Sequence, residues 1–329
     1  MVKFECRQCG KTYNPGDLRY RCDCGGLFAL KGNVKPESKN LTLGEGNTPL
    51  LKKYWKGKEV YFKMEYMMPT GSFKDRGAAF MIDRLNDYGV DEIIEDSSGN
   101  AGAAIAAYAA AVNMKCHIFI PEKTSDGKIS QMSAYGAKIS KVPGDRDKVN
   151  KEVKKLAGDI YYASHIYNPL FFAGISTLAL ELKHLSENDI ILVPVGNGTM
   201  LLGLYYGFKK MGKLPRLIAV QAANCSPVYN YYHNISVNNC DKTKAEGIAV
   251  GDPPRKKEII KAVKNSGGMV ISVTEKEINE ALSQLSSMGY YVETTAGVAP
   301  AGFEVLHSKI NIEKGQRVVI PLTGSGLKK

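Results

Sequence analysis

Pro69-Thr70-Gly71-Ser72-Phe73-Lys74-Asp75-Arg76-Gly77 sets a lysine between a phenylalanine and an acid–base pair, behind a Pro-Thr-Gly turn. Proline and glycine favour the turn, and Ser72 can cap a helix beginning at the charged residues. Taken alone, the stretch reads as a turn followed by solvated charges. The same surroundings suit a lysine whose amine condenses with an aldehyde to form an imine. Three further segments, placed in order along the chain, favour the second reading.

The first is Ser97-Ser98-Gly99-Asn100-Ala101-Gly102, which follows a strand expected at 93–94 and opens an alanine-rich helix expected over 100–112. Backbone amides at a helix start favour an anion, here a substrate carboxylate. The plainer alternative is a helix cap with glycine packing. The second is Val195-Gly196-Asn197-Gly198-Thr199-Met200, between an expected strand at 190–195 and a helix at 201–210. Its glycines let backbone close around phosphate oxygens, and Thr199 adds a hydroxyl. It is not a dinucleotide fingerprint, because Leu201 stands where the third glycine belongs, and it lacks a P-loop lysine. The third is Leu322-Thr323-Gly324-Ser325-Gly326-Leu327-Lys328, after an expected strand at 318–320. On its own it is only a glycine turn.

Together the four segments resemble those of pyridoxal-phosphate enzymes of fold type II, the tryptophan-synthase β-subunit superfamily. The lysine segment is most similar to the threonine synthase family. Leu43-Gly44-Glu45-Gly46-Asn47-Thr48-Pro49-Leu50, Gly251-x-Pro253-Pro254-Arg255 and Tyr291-Val292-Glu293 are similar to further family segments. The resemblance implies a two-lobed α/β fold with a large cofactor lobe at 33–76 and 178–329, a small substrate lobe at 77–177 and a leader at 1–32. It implies that Lys74 holds pyridoxal 5′-phosphate covalently and then serves as a base, with Phe73 packed nearby. It implies Asn100 at the cofactor's 3′ oxygen, residues 195–200 around its phosphate, and Thr323 at its ring nitrogen. Ser97, Ser98, Gly99 and Ala101 would face the substrate. A hydroxyl at the ring nitrogen makes the ring a weaker electron sink than a carboxylate would, which favours elimination and replacement.

The implied activity is conversion of O-phospho-L-homoserine and water to L-threonine and phosphate, in a cytoplasmic homodimer. Some positions depart from the family. Phe171, in Asn168-Pro169-Leu170-Phe171, stands where many members carry an arginine for the substrate phosphate, and Ile175-Ser176 replaces a polar pair. Met67-Met68 and Ala101 are also less polar than usual. A buried dianion without a cation is costly, so Lys128 and Arg255 become candidates for that place. The alternatives are another reaction on the same scaffold, either cysteine or cysteate synthesis or serine/threonine deamination. A reading of a different class is an inactive cysteine-ribbon protein that binds nucleic acid.

The chain has 329 residues, 44% hydrophobic and 23% charged, which suits about two globular domains. Its net charge of +11 is spread over scattered lysines such as Lys151, Lys154, Lys155, Lys209, Lys210 and Lys256. That pattern suits a solvated surface and anionic small molecules rather than nucleic acid. No apolar run approaches the roughly 18 residues of a membrane span, and the N-terminus lacks a signal-peptide layout. Cys6-x-x-Cys9-Gly10 and Cys22-x-Cys24-Gly25-Gly26 form two knuckles able to surround a structural zinc. A metal-free remnant and a labile disulfide are the alternatives. The single residue between Cys22 and Cys24 is expected to strain a shared site. Cys116, Cys225 and Cys240 stand singly, and the odd total of seven fits a reducing compartment. His117, His165, His184, His233 and His307 show no metal spacing and read as structural. Short β-branched runs at 60–62, 118–120, 190–195, 217–220, 270–273 and 318–320 alternate with helical patterns, which implies parallel sheets covered by helices.

Overall fold

A computed structural model describes residues 2–38, 40–237 and 240–328, with the side chain of Lys128 left out. In chain order the strands are β1 (Lys3–Cys6), β2 (Thr12–Tyr13), β3 (Phe28–Lys31), β4 (Leu50–Trp55), β5 (Lys58–Lys63), β6 (Glu92–Glu95) and β7 (Lys115–Pro121). There follow β8 (Lys138–Val142), β9 (Tyr161–Tyr162), β10 (Ile190–Pro194), β11 (Arg216–Ala222), β12 (Met269–Val273) and β13 (Val318–Pro321). Contacts divide the chain into two compact units, one of Met1–Glu45 and Lys74–Thr177, the other of Gly46–Phe73 and Leu178–Lys328.

The first unit holds a four-stranded sheet in the order β8-β7-β6-β9, every pairing parallel. Helix Asn100–Ala111 covers it, buried along Ala101–Ala109 because alanine and glycine let backbones approach closely. Helix Lys74–Asp87 is buried from Asp75 to Asp83 and packs against helix Pro169–Ile175. Asn168 caps that second helix by accepting from the Leu170 amide, with proline in its first turn, the arrangement such a start favours. The leader belongs to this unit as an antiparallel sheet, β2-β1-β3. It is fastened to β9 and the turn after it. Tyr161 Oη donates to the Pro15 carbonyl at 2.8 Å, and the Tyr20 ring stands edge-on to Tyr162 and Tyr167 at 5.6 and 5.3 Å.

The second unit holds a six-stranded sheet in the order β12-β11-β10-β13-β5-β4, parallel except for the β4–β5 hairpin. β10, Ile-Ile-Leu-Val-Pro, is buried at all five positions, as expected of a central parallel strand covered on both faces. Thr274 and Glu277 form the capping box of helix Glu275–Ser287, each side chain bonding the other's backbone amide.

Every strand run read from the sequence lies within or alongside an observed strand. β4 and β8 escape that reading because their lysines, as in Leu-Leu-Lys-Lys-Tyr-Trp, mask an edge strand. β4 and β5 are joined at Lys56-Gly57, both with positive φ (49° and 73°), the signature of a two-residue hairpin turn. One expectation is overturned. Cys225 and Cys240 do not stand singly but form a disulfide across 15 residues, brought together by a bridge between their backbones. No helix among the described residues is long and apolar enough to cross a membrane.

Candidate active site

The lysine segment, the loops at 97–102 and 195–200 and the segment at 322–328 each lie just beyond the C-terminal end of a parallel strand or at a helix start. In the first unit Lys74 is the first residue of helix Lys74–Asp87, half-buried, with its Nζ 5.9 Å from the centre of the Phe171 ring. The ring lies against Gly77, where an added Cβ would come within 2.5 Å of it, so glycine one turn after the lysine is what admits the phenylalanine. Phe171 is fully buried and is a wall beside the lysine.

β6 ends at Glu95, and the chain turns through 97–99 into helix Asn100–Ala111. Gly99 precedes the helix without any side-chain cap. A Cβ at Gly102 would meet the Ser97 carbonyl at 2.0 Å, so only glycine permits this loop to fold back on its own helix. Asp96 accepts from the Asn150 amide at 2.6 Å, which anchors the loop to helix Arg146–Leu156.

In the second unit, Val195 follows β10 and the loop reaches helix Thr199–Lys210 through Gly198, whose φ of 77° suits glycine. The Ile259 side chain fills the space where a Gly198 Cβ would stand, and Ile248 closes on Gly196. The helix-start amides at 199–201 have no acceptor within the helix, and Leu202 is the first to bond back, to Gly198. Asn197 Oδ1 is buried without a hydrogen-bond partner. Rotation of that amide presents its NH2 instead, so loop and helix start together offer donors to an anion. Thr199 and Met200 are buried.

Thr323 is buried just after β13. The Phe73 amide donates to the Thr323 carbonyl at 3.1 Å, and Ser72 bridges Gly324. These bonds fix the residue before the lysine to the C-terminal segment. Glu293 was not singled out as a site residue. Its amide donates to the Gly324 carbonyl at 2.9 Å, and its carboxylate lies against Gly324 and 3.5 Å from the Thr323 hydroxyl.

Two candidate cations for a substrate phosphate fare differently. Arg255 is buried and paired with Glu258 at 3.0 Å, and the side chain of Lys128 lies outside the description. The four leader thiols do converge: the Sγ atoms of Cys6, Cys9, Cys22 and Cys24 all lie within 4.8 Å of one another. Three of the pairs stand at 3.5 Å. The shorter second knuckle is accommodated by the turn in which the Gly25 amide bonds the Cys22 carbonyl. The Tyr13 hydroxyl, 3.1 Å from Cys22 Sγ, leads the interactions that lower that thiol to about 6.

Residues 41–324 match the family described as pyridoxal-phosphate dependent enzyme. A threonine synthase of Methanocaldococcus jannaschii is 33% identical, with 98% of this chain and 92% of that protein covered. The chain belongs to the threonine synthase family of pyridoxal-phosphate-dependent enzymes. A threonine synthase of Bacillus sp. (strain ULM1) is 34% identical over 90% of this chain and 87% of its own length. Among solved structures, serine racemase from Dictyostelium discoideum superposes with a TM-score of 0.73 at 27% identity, covering 84% of this chain and 92% of that one. Maize serine racemase has the same TM-score at 23% identity, covering 85% and 88%, a likeness of fold. The cofactor of the family is pyridoxal phosphate, and the donors at 196–201 and the amine of Lys74 suit its phosphate and its aldehyde.

Proposed function

We propose that this chain is a threonine synthase, acting on O-phospho-L-homoserine and water to release L-threonine and phosphate. The observation that carries the reading is Lys74 at the head of a helix, in a segment and chain that align over nearly their whole length with threonine synthases. Bound pyridoxal phosphate supplies an electron sink for the bonds at the substrate's α-carbon. In this reading the unit containing 178–328 carries the cofactor, through 195–200, Phe73 and Thr323. Residues 77–177 carry the substrate, with Ser97, Ser98, Gly99 and Ala101 facing its carboxylate and Asn100 the cofactor's 3′ oxygen. Lys74, once its amine is free, removes the α-proton and returns protons at later steps. The Thr323 hydroxyl faces the ring nitrogen, and the buried wall of Phe171 excludes water beside the lysine.

Product analysis tests this. The purified yellow protein is expected to release phosphate and threonine from O-phosphohomoserine and to form no 2-oxoacid from serine or threonine. Formation of 2-oxoacid with no phosphate release would favour a deaminase instead.

The leader is proposed to bind a structural zinc. Tetrahedral zinc with Zn–S bonds of about 2.3 Å places its sulfurs about 3.8 Å apart, close to the spacing of the four thiols. Four thiolates leave no open position for chemistry. The purified protein is expected to hold equimolar zinc by elemental analysis, and Cys22→Ser to hold almost none. Equal metal content in the two proteins would refute the site.

A further inference from the structure

All five histidines read as structural from the sequence, but one is joined to a carboxyl group beside the reactive lysine. His165, in the turn after β9, places Nδ1 2.6 Å from Glu95 Oε1 at the end of neighbouring β6. Glu95 is wholly buried and His165 nearly so. The second carboxyl oxygen, Glu95 Oε2, is buried with no hydrogen-bond partner. The His165 ring stands edge-on to Phe171 with centres 6.0 Å apart, and Lys74 Nζ lies 5.9 Å from the same ring. Lysine and histidine therefore flank one phenylalanine within a single unit, and the histidine carries the glutamate with it.

A contact of 2.6 Å between a ring nitrogen and a carboxyl oxygen needs a proton between them. Burial, the largest cause, pushes the Glu95 carboxyl well above its usual range, and it holds the His165 imidazole well below its own. Both shifts favour an uncharged pair, with the shared proton on Glu95. The charge of Lys74 favours ionised Glu95 and opposes protonated His165. The other charges that bear on the pair come from Asp96 on the adjoining loop and Arg146 on helix Arg146–Leu156. Glu95 itself bears on Cys116 of β7 and Tyr162 of β9, and burial raises both groups out of reach of ionisation near neutral pH.

We propose that Glu95 and His165 form a positioning pair for Lys74, neutral while the lysine nitrogen is uncharged and polarised to carboxylate and imidazolium while that nitrogen is cationic. The proton balance closes. Lys74 gains its proton from the substrate's α-carbon, and the Glu95 proton shifts along the 2.6 Å bond to His165 Nδ1, so the pair neither gains nor loses a proton. The positive charge of Lys74, which already favours ionised Glu95, then lowers the cost of the buried carboxylate. Glu95 has no need to touch the substrate. This inference rests on Lys74 as the cofactor lysine, and it adds the device that governs that lysine's charge.

The test uses the holoenzyme, whose cofactor colour reports the charge on the Lys74 nitrogen as pH is raised. Loss of a nearby carboxylate lowers the pH at which a cation gives up its proton. Glu95→Gln is therefore expected to move the midpoint of the colour change down by about 1 unit or more. His165→Asn, which leaves the Glu95 proton without an acceptor, is expected to move it in the same direction, and Glu95→Asp to restore most of the difference. Turnover is expected to fall about 10-fold or more in Glu95→Gln with KM little changed. Circular dichroism checks that each variant is folded, and if Glu95→Gln fails to fold, His165→Asn carries the test. Superimposable titration curves for folded yellow proteins, whether or not the colour titrates, overturn the pair. A colourless wild-type protein instead overturns the assignment of Lys74.

Discussion

Lys74→Ala is expected to yield a folded, colourless protein whose turnover is lower by about a thousandfold or more, because in the proposed reading one side chain supplies both the covalent link and the base. Phe171 occupies the space beside the lysine nitrogen, and His165 is engaged with Glu95. Lys74→Arg is expected to behave the same way, since a guanidinium stays protonated and does not condense with an aldehyde. Borohydride treatment followed by peptide mass analysis should tag position 74 in the wild-type protein and leave it untagged in both variants. A yellow Lys74→Ala protein that retains turnover would remove the functional reading altogether.

Gly102→Ala is the second change of large expected effect, and it acts without touching any reacting group. The new methyl would stand 2.0 Å from the Ser97 carbonyl and 3.0 Å from Met132 Sδ. Met132 can turn aside, but Ser97 is backbone, so the loop at 97–100 must move. Overpacking of this kind costs about 1–3 kcal/mol of stability, measurable as a lowered denaturation midpoint. The functional loss should exceed what the stability change explains. A shift of about 1 Å in residues that hold a substrate lowers kcat/KM by about 100-fold. A Gly102→Ala protein with native kcat/KM would show that the substrate does not rest on this loop.

The fold was legible wherever the physics is local. β10 declares itself through five apolar residues in a row, and helix Glu275–Ser287 through its capping pair and an apolar face. The lysine segment, the two glycine-bearing loops and the segment at Thr323 could be proposed from the sequence because each is a short contiguous motif, and in the two loops the backbone requires the glycines at 102 and 198. Glu95, His165 and Glu293 were not, because what matters about them lies in pairing across the chain. His165 and Glu95 are 70 positions apart, and neither carries a mark in its own neighbourhood beyond a charged residue ending an apolar strand. Phe171 looked like a missing arginine in a substrate segment. Its buried contact with Gly77 shows the position given over to packing against the lysine's own helix. The Cys225–Cys240 link was hidden for the same reason as the glutamate–histidine pair: only folding brings the two ends together.

The way the leader is fastened ties its folding to that of the unit it rests on. Its tyrosine wedge rests on Tyr162 and Tyr167, and its Pro15 carbonyl takes up the Tyr161 hydroxyl. Those three tyrosines flank the turn that bears His165. A chain trimmed of its first 32 residues would leave aromatic surface open to water and one buried hydroxyl without its acceptor. On the proposed zinc site, cells starved of that metal are expected to lose the enzyme through clumping and proteolysis.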